Sequence, residues 1–299
     1  MIVSKTYMSK SLLVTGANGQ LGSELSQLAP LYPEFNFTFV TRAELDLTNT
    51  ESIHLWFADK TFDVIINCAA YTAVDKAESE PDVAKAINTL AVEALATIAK
   101  EQSCSLIHVS TDYVFAGKNH QPYQESEPTA PQGVYGQSKL AGEQALLAIN
   151  PPKSVLIRTA WVYSSFGNNF VKTMLRLGKE RAQLGVIYDQ VGSPTSAHDL
   201  ALAILTMVQH PKLKSLAGTE VYHYSNEGVC SWYDFAKAIF AYADLGCEVN
   251  PIETKDYPTP AKRPHYSVLN KTKIKHDFDL KIPYWLDSLK RCLDVLSNQ

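Results

Sequence analysis

A tyrosine and a lysine four residues apart are the pair in this sequence best suited to chemistry. Tyr135 and Lys139 stand in the run VYGQSK, and residues four apart lie on one face of an α-helix. An ammonium beside a phenol favours the phenolate by charge attraction, which predicts a tyrosine that exchanges protons near neutral pH. Tyr and Lys at this spacing often only share a solvated helix face. The pattern gains weight if a phosphate-binding turn precedes it and a hydroxyl at a strand end faces it.

A glycine-rich turn near the start of the chain predicts a dinucleotide site. The apolar run 12–14 breaks into TGANGQLG, after which leucines recur at helical spacing. A strand, a glycine turn and a helix in this order form a dinucleotide-binding unit. Gly16 permits the tight turn, Gly19 lets the backbone approach a pyrophosphate, and Gly22 lets helix and strand pack closely. The free N–H groups of the helix N-terminus would bind the anion.

The end of the second predicted strand bears on the choice of cofactor. Residues 35–40 form that strand, and Thr41 and Arg42 follow it. An NAD site usually places an acidic residue here to bind the ribose hydroxyls, whereas an arginine suits the 2′-phosphate of NADPH. We therefore expect NADPH, with NADH and a merely solvent-facing Arg42 as the alternatives. Asp46 and Leu47 are candidates for the contact with adenine.

The ends of the third and fourth predicted strands supply small residues and a hydroxyl. Residues 63–67 lead into CAAYT, whose small side chains would let a cofactor pass close to the backbone. Residues 105–109 lead into Ser110 and Thr111. Ligands bind at the carboxyl ends of strands in a doubly wound sheet, so Thr111 is placed to bond a substrate oxygen. Taken alone, this threonine could equally be a cap or a turn residue.

The alternation of strands and helices predicts an α/β fold with a Rossmann-type doubly wound parallel sheet. A helix over 82–100 and a fifth strand over 155–159 continue the pattern. Beyond Trp161 the regularity loosens, which predicts a smaller C-terminal substrate-binding region. We assign 9–165 plus 191–225 to the dinucleotide-binding domain and 166–190 plus 226–299 to the second region.

Bulk properties exclude several classes of protein. The net charge of −4 over 299 residues provides no basic surface for nucleic acid. No window is long and apolar enough to cross a membrane. The five scattered cysteines lack metal-binding spacing and indicate reduced thiols in a cytoplasmic protein. The first ten residues lack the pattern of a signal peptide, and Met8 is a candidate start that leaves residues 1–7 as a loose extension.

Thr111, Tyr135 and Lys139, behind a TGxxGxxG turn, resemble the extended short-chain dehydrogenase/reductase family. In that family the tyrosine transfers a proton to or from the substrate oxygen while nicotinamide exchanges hydride at the attached carbon. The lysine lowers the pKa of the tyrosine and holds the nicotinamide ribose, and the threonine orients the substrate oxygen. The resemblance implies a carbonyl oxygen about 3 Å from both hydroxyls.

Further motifs resemble the dTDP-4-dehydrorhamnose reductase family from about Ser11 to the C-terminal helix. They are NCAAYT with VDKAE, STDYVF, GNNF, DQVGSPT and the pair Arg263-Pro264. The resemblance implies NADPH-dependent reduction of the C4 ketone of dTDP-4-dehydro-L-rhamnose to dTDP-L-rhamnose. It implies a dTDP-sugar as the substrate. We expect a monomer or homodimer that binds neither nucleic acid nor membrane.

The predicted site residues fall into three roles. Those expected in catalysis are Thr111, Tyr135 and Lys139. Those expected to bind the cofactor are Gly16, Asn18, Gly19, Gln20, Leu21, Arg42, Asp46, Leu47, Ala69, Ala70, Tyr71, Tyr135 and Lys139. Those implied by the resemblance to bind the substrate are Thr111, Asp112, Trp161, Asn168, Asn169, Gln190 and Arg263. Other interpretations stay open, because Trp161 could be core packing, the two asparagines could cap a helix, and Arg263 could be a surface cation.

The sequence departs from the family pattern at a metal site. Some members of the reductase family bind magnesium through acidic residues, and one of these acidic residues matches Glu24 in this sequence. The later helix begins SAHD here, so His198 stands where a carboxylate is expected. We therefore predict no metal ligands and regard magnesium as a doubtful cofactor. We interpret Glu24 as an acid in the first helical turn that stabilises the helix N-terminus.

Two other functions compete with reduction. A dehydratase or epimerase of the same fold would act on a sugar nucleotide, but dehydratases place Asp-Glu after the threonine, and here Tyr113 follows Asp112. Epimerases tend to retain NAD, whereas Arg42 favours NADPH and therefore counts against an epimerase. A regulatory subunit resembling the β subunit of methionine adenosyltransferase would keep the fold without turnover. The intact set of Thr111, Tyr135 and Lys139 counts against that alternative.

Overall fold

Short apolar strands, each followed by a helix, build a parallel sheet. The computed structural model describes residues 9–298, so the predicted start at Met8 and extension 1–7 lie outside the described residues. The strands are β1 Lys10–Thr15, β2 Phe35–Val40, β3 Val64–Asn67, β4 Ser105–Thr111, β5 Ser154–Thr159, β6 Val162–Tyr163, β7 Gln183–Ile187, β8 Val191–Gly192, β9 Thr195–Ser196, β10 Thr219–His223, β11 Cys230–Ser231 and β12 Glu248–Ile252. The α-helices are α1 Gln20–Leu28, α2 Thr50–Phe57, α3 Val74–Ala77, α4 Pro81–Lys85, α5 Ala91–Glu101, α6 Val134–Ile149, α7 Phe170–Glu180, α8 Ala197–Gln209, α9 Pro211–Ser215, α10 Trp232–Tyr242, α11 Thr272–Asp277 and α12 Trp285–Ser297.

The main sheet of the described residues has six strands in the order β10-β5-β4-β3-β1-β2, all parallel to their neighbours. The chain moves outward from β1 to β2 and then returns to β3 on the other side of β1. The crevice above the carboxyl ends of β1 and β3 is therefore the topological switch point, where doubly wound sheets bind ligands. The predicted fold class is confirmed.

Helices cover both faces of this sheet because its central strands are apolar on both sides. Every residue of β3 is buried, including Ile65 on one face and Ile66 on the other. Ile66 belongs to a core that α1 and α8 complete, and Ile65 belongs to a second core formed with α2 and α5. Near-continuous apolar strands of this kind are typical of parallel sheets that are covered twice.

A separate core lies in the C-terminal part of the chain. It packs α7, α10 and α12 against a small parallel sheet of β7 and β12, with Phe235 and Leu289 fully buried at its centre. The elements that form this core come from the segments predicted for substrate binding. The exact domain boundaries stay a prediction.

The helix predicted over 82–100 contains an unexpected irregularity. A π-helical segment, Ala86–Leu90, joins α4 to α5. Within it the buried Asn88 accepts a hydrogen bond from the backbone N–H of Tyr71 (2.9 Å) and donates to the Ser138 hydroxyl (3.0 Å). Single π turns are often found at functional sites because they redirect a side chain. Here the turn ties the end of β3 to helix α6.

Within residues 9–298, none of the helices combines the length and apolar character that crossing a bilayer would require.

Candidate active site

A cavity of about 650 Å³ opens at the carboxyl ends of the central strands. It brings together ten of the residues predicted from sequence: Gly19, Gln20, Leu21, Ala70, Thr111, Asp112, Tyr135, Lys139, Trp161 and Asn168. The three predicted catalytic side chains thus share one space with the glycine-rich turn. Their roles stay predictions.

The glycine-rich turn has the geometry that its spacing predicts. Gly16 has a φ of +66°, in the left-handed region that favours glycine. A Cβ on Gly22 would lie 2.3 Å from the carbonyl oxygen of Gly16, so helix and strand approach as closely as expected. In the described part of the chain, no side chain caps the N-terminus of α1 and no acid lies in its first turn. These N–H groups suit the diphosphate of a dinucleotide.

Helix α6 carries Tyr135 and Lys139 at the wall of the cavity. It begins after Gly133, and both side chains are buried. Gly136 lets the helix approach the preceding strand end, since a Cβ there would lie 2.4 Å from the Tyr113 carbonyl oxygen. The ring of Tyr113 packs edge-on against Tyr135, with ring centroids 5.3 Å apart. Close backbone contact therefore sets the position of the phenol.

The electrostatics of Tyr135 differ from the expectation. Burial raises its pKa to about 12, although a hydrogen bond with Thr111 acts in the opposite direction. The Lys139 ammonium donates to the Val109 carbonyl oxygen (2.7 Å), and burial lowers its pKa to about 8 against the opposing charge of Glu143. Desolvation thus outweighs the hydrogen bond with Thr111, the charge of Asp112 raises the tyrosine pKa further, and the expected lowering by Lys139 is not found among the causes of the shift in the described residues. Tyr135 is held as a phenol, which is the proton-donating form.

Thr111 and Asp112 form a second polar group in the cavity. The Thr111 hydroxyl donates to Asp112 Oδ1 (3.0 Å) and accepts from the backbone N–H of Tyr113 (3.2 Å). Asp112 Oδ2 is buried without a hydrogen-bond partner among residues 9–298. Burial raises the pKa of Asp112 to about 7, against the hydrogen bond from the Thr111 hydroxyl. This carboxyl group can therefore change its protonation state near neutral pH.

Two stacked tryptophans form part of the cavity wall. Trp161 was predicted from the sequence to bind the substrate, and Trp232 was not. The rings of Trp161 and Trp232 stack with centroids 3.6 Å apart and planes 11° from parallel. Trp161 has a φ of +50°, a strained conformation for a bulky residue. Gly192 makes room for its ring, since a Cβ there would lie 2.7 Å from it. Trp232 opens α10 and carries no motif of its own, so only the pairing reveals its place in the cavity.

The two predicted asparagines differ in their surroundings. Asn168 lines the cavity. Asn169 caps α7, because its Oδ1 accepts from the backbone N–H of Lys172 (3.1 Å). Its Nδ2 also donates to Gln20 Oε1 (3.0 Å), at the first residue of α1. The capping alternative for Asn169 is therefore observed, together with a link to the glycine-rich turn.

Several residues predicted to bind the cofactor lie outside the cavity lining. Arg42 is 76% exposed beyond β2 and 3.7 Å from Asp46. Hydrogen bonds from Thr48 lower the pKa of Asp46, with a smaller contribution from Arg42. Leu47 is part of the core beneath β1. Four further members of the set are not among the lining residues either: Gly16, Asn18, Ala69 and Tyr71.

Arg263 and Gln190 also lie outside the cavity lining. The Arg263 guanidinium binds both carboxylate oxygens of Asp75, at 3.0 and 2.7 Å, which lowers the pKa of that carboxyl group. Gln190 is buried and donates to the Thr254 hydroxyl (3.1 Å). Their predicted contacts with substrate stay predictions.

The interpretation of Glu24 as a first-turn acid is wrong. Glu24 lies beyond the first turn of α1 and is 5% exposed. It accepts hydrogen bonds from the Ser164 hydroxyl (2.5 Å) and lies 3.2 Å from His198 Nδ1, which raises the pKa of that histidine. The Glu24 carboxyl group is therefore bound by tertiary contacts rather than by the helix N-terminus. Residues 9–298 contain no group of three or more His, Cys, Asp or Glu side chains arranged to hold a metal.

Comparisons with known proteins agree with this geometry. The family model for the RmlD substrate binding domain matches residues 10–298. A dTDP-4-dehydrorhamnose reductase of Escherichia coli strain K12 is 43% identical over 298 residues, covering 96% of this chain and 98% of that protein. The crystal structure of a dTDP-4-dehydrorhamnose reductase from Clostridium acetobutylicum has a TM-score of 0.89 at 40% identity, covering 96% of this chain and 99% of the other. The Bacillus anthracis enzyme in complex with NADP has a TM-score of 0.90 at 38% identity, covering 96% of this chain and 100% of the other.

Proposed function

The chain belongs to the dTDP-4-dehydrorhamnose reductase family, and from that membership we propose the reaction in which Tyr135 acts. The protein reduces the C4 ketone of dTDP-4-dehydro-L-rhamnose to dTDP-L-rhamnose with NADPH. The observation that supports this most is the shared cavity, in which Thr111, Tyr135 and Lys139 face the space beside the glycine-rich turn. When bound, NADPH supplies the hydride.

Tyr135 is the proton donor in this proposal. Its raised pKa of about 12 keeps the phenol protonated at neutral pH until negative charge develops on the substrate oxygen. The Thr111 hydroxyl lies beside it and orients the same oxygen. Lys139 adds positive charge below its pKa of about 8 and lowers the energy of the phenolate that proton transfer leaves behind.

The second core would bind the sugar nucleotide. Trp161 and Asn168 come from the border between that core and the main sheet, and they line the same cavity as Tyr135 and Lys139. Asp112, with its unpartnered oxygen, is suited to bind a sugar hydroxyl. Arg263 would reach the diphosphate by exchanging or sharing its contact with Asp75, since guanidinium forks bind carboxylate and phosphate alike. We further infer a cytoplasmic enzyme that acts as a monomer or homodimer.

A cofactor absorbance assay tests the proposed reaction. Purified protein is mixed with the 4-dehydro-L-rhamnose nucleotide and NADPH, and the loss of NADPH is compared with the sugar product formed. We expect one NADPH oxidised per product molecule. Product without loss of NADPH would indicate an epimerase, and no turnover with an intact NADPH site would favour the regulatory alternative.

A further inference from the structure

A chain of buried polar side chains runs beneath the cavity from the first strand to the catalytic helix. The Thr15 hydroxyl donates to Asn67 Oδ1 (2.6 Å), and Asn67 Nδ2 lies 3.0 Å from His108 Nδ1. His108 Nε2 lies 3.4 Å from Lys139 Nζ. All four residues are at most 1% exposed. Thr15, Asn67 and His108 come from β1, β3 and β4, so the chain crosses the sheet under the cavity.

The direction of the first hydrogen bond fixes the direction of the others. Because Thr15 donates to the amide oxygen of Asn67, the amide nitrogen faces His108. An amide nitrogen is only a donor, so Nδ1 of the ring must be its unprotonated acceptor. Burial and the nearby Lys139 lower the pKa of His108 well below its usual value, so the ring is neutral. Its one proton then lies on Nε2 and faces Lys139.

Other charged groups near Lys139 act on its pKa without a hydrogen bond to His108. Glu143 lies one turn further along α6 and raises the pKa of Lys139, and Arg158 on β5 neutralises much of that carboxylate. Tyr135 on α6 and Asp112 after β4 border the same cavity. None of these groups bonds to His108 among the described contacts. The histidine is thus a separate influence on the lysine.

We propose that His108 is a positioning residue for Lys139, and that Asn67 holds it in the tautomer with the proton on Nε2. A ring N–H that faces Nζ gives no acceptor to an ammonium, whereas it can donate to a neutral amine. His108 therefore favours release of the lysine proton and moves the loss of the Lys139 charge toward neutral pH. The tautomer of His108 is independent of the proposed reductase activity, and only the expected effect on kcat rests on that activity.

The tautomer can be measured directly by NMR. Full-length protein labelled with ¹⁵N-histidine is examined with and without NADP, and the signals of His108 are assigned by their loss in His108→Gln. We expect a neutral ring with the proton on Nε2 throughout the neutral range. A proton on Nδ1, or a doubly protonated ring, would overturn the proposal. This result does not depend on activity, so it is separable from a failure of the proposed function.

The effect on Lys139 is tested by a substitution that reverses the direction of the hydrogen bonds from residue 67 through His108 to Lys139. Asn67→Asp presents only acceptors to Nδ1, which moves the ring proton there and turns Nε2 into an acceptor for the ammonium. We expect the alkaline limb of the kcat profile, near pH 8, to move up by about one unit, a tenfold gain in proton affinity. An alkaline limb of the kcat profile at the same pH in Asn67→Asp as in the unchanged protein would contradict the proposal.

A double-mutant cycle separates this effect from the added charge. In a His108→Gln background the same Asn67→Asp change should move the limb much less, because the ring that transmits it is gone. An equal shift in both backgrounds would show a direct effect of the carboxylate and overturn the role of His108. His223→Gln, at a buried histidine that contacts the Tyr123 carbonyl oxygen, is the matched control and should leave the limb unchanged.

Discussion

Glu143 binds Arg158 in a two-pronged ion pair one helical turn beyond Lys139. Both Glu143 oxygens lie 3.1 Å from Arg158 Nε, and Oε2 lies 2.7 Å from Nη2. The Glu143 side chain is 1% and the Arg158 side chain 5% exposed. The Ser110 hydroxyl donates to the same carboxylate at 2.5 Å. The pair therefore anchors helix α6 to β5 through charges that are almost fully buried.

Glu143→Gln should destabilise the protein strongly. It leaves the buried Arg158 charge uncompensated, which typically costs about 3–5 kcal/mol in the free energy of unfolding. It should also lower the pKa of Lys139, because Glu143 raises it, so the alkaline limb of kcat moves to lower pH. Denaturant unfolding and a pH profile measure the two effects. Glu180→Gln, which breaks an exposed pair with Arg176, should cost less than about 1 kcal/mol, and a similar loss in both variants would contradict the argument.

Tyr135→Phe should retain NADPH binding and lose most ketone reduction. The change removes only the hydroxyl, and a positioned proton donor contributes about 10²–10⁴-fold to the rate. Cofactor fluorescence measures binding, and loss of NADPH absorbance measures turnover. Tyr188→Phe, at an exposed tyrosine, serves as the control. Normal turnover in Tyr135→Phe would refute the assigned role.

Arg42→Ala should weaken the use of NADPH while leaving NADH little affected. The exposed guanidinium beyond β2 is free to bind a 2′-phosphate, since its ion pair with Asp46 is long and solvated. We expect KM for NADPH to rise several-fold, because one exposed charge-assisted hydrogen bond would be lost. Arg176→Ala on α7 controls for the loss of a surface charge. Equal losses with both cofactors would count against a contact with the phosphate.

Gly192→Ala should impair binding of the sugar nucleotide more than binding of NADPH. The added Cβ would lie 2.6 Å from the Ser267 hydroxyl and 2.7 Å from the ring of Trp161, so the stacked tryptophans must shift. We expect a higher KM for the sugar nucleotide and an unchanged affinity for NADPH. Gly246→Ala is the matched control, because no atom of the described residues beyond its two chain neighbours lies within 4 Å of the Cβ it would add. An unchanged KM for the sugar nucleotide in Gly192→Ala would show that the tryptophan pair does not contribute to substrate binding.

The features that local patterns encode were predictable from the sequence. The strand over 35–40 has the predicted bounds, and the tight turn at Gly16 follows from residue types within one short segment. The features that were missed depend on contacts between distant segments. Trp232 lies in the cavity because it stacks on Trp161, and His108 meets Asn67 and Lys139 across 41 and 31 residues of chain. Glu24 was misread because its partners, Ser164 and His198, lie far along the sequence. Periodicity carries no signal for such pairings.

The hydrogen bond between Asn169 and Gln20 has a consequence for the order of events during turnover. Gln20 is the first residue of α1, the helix proposed to bind the diphosphate, and Asn169 caps α7, the first helix of the second core. Coenzyme bound at the N-terminus of α1 would restrict the movement of Gln20 and, through the hydrogen bond to Asn169, the movement of the start of α7. We therefore expect the coenzyme to bind before the sugar nucleotide.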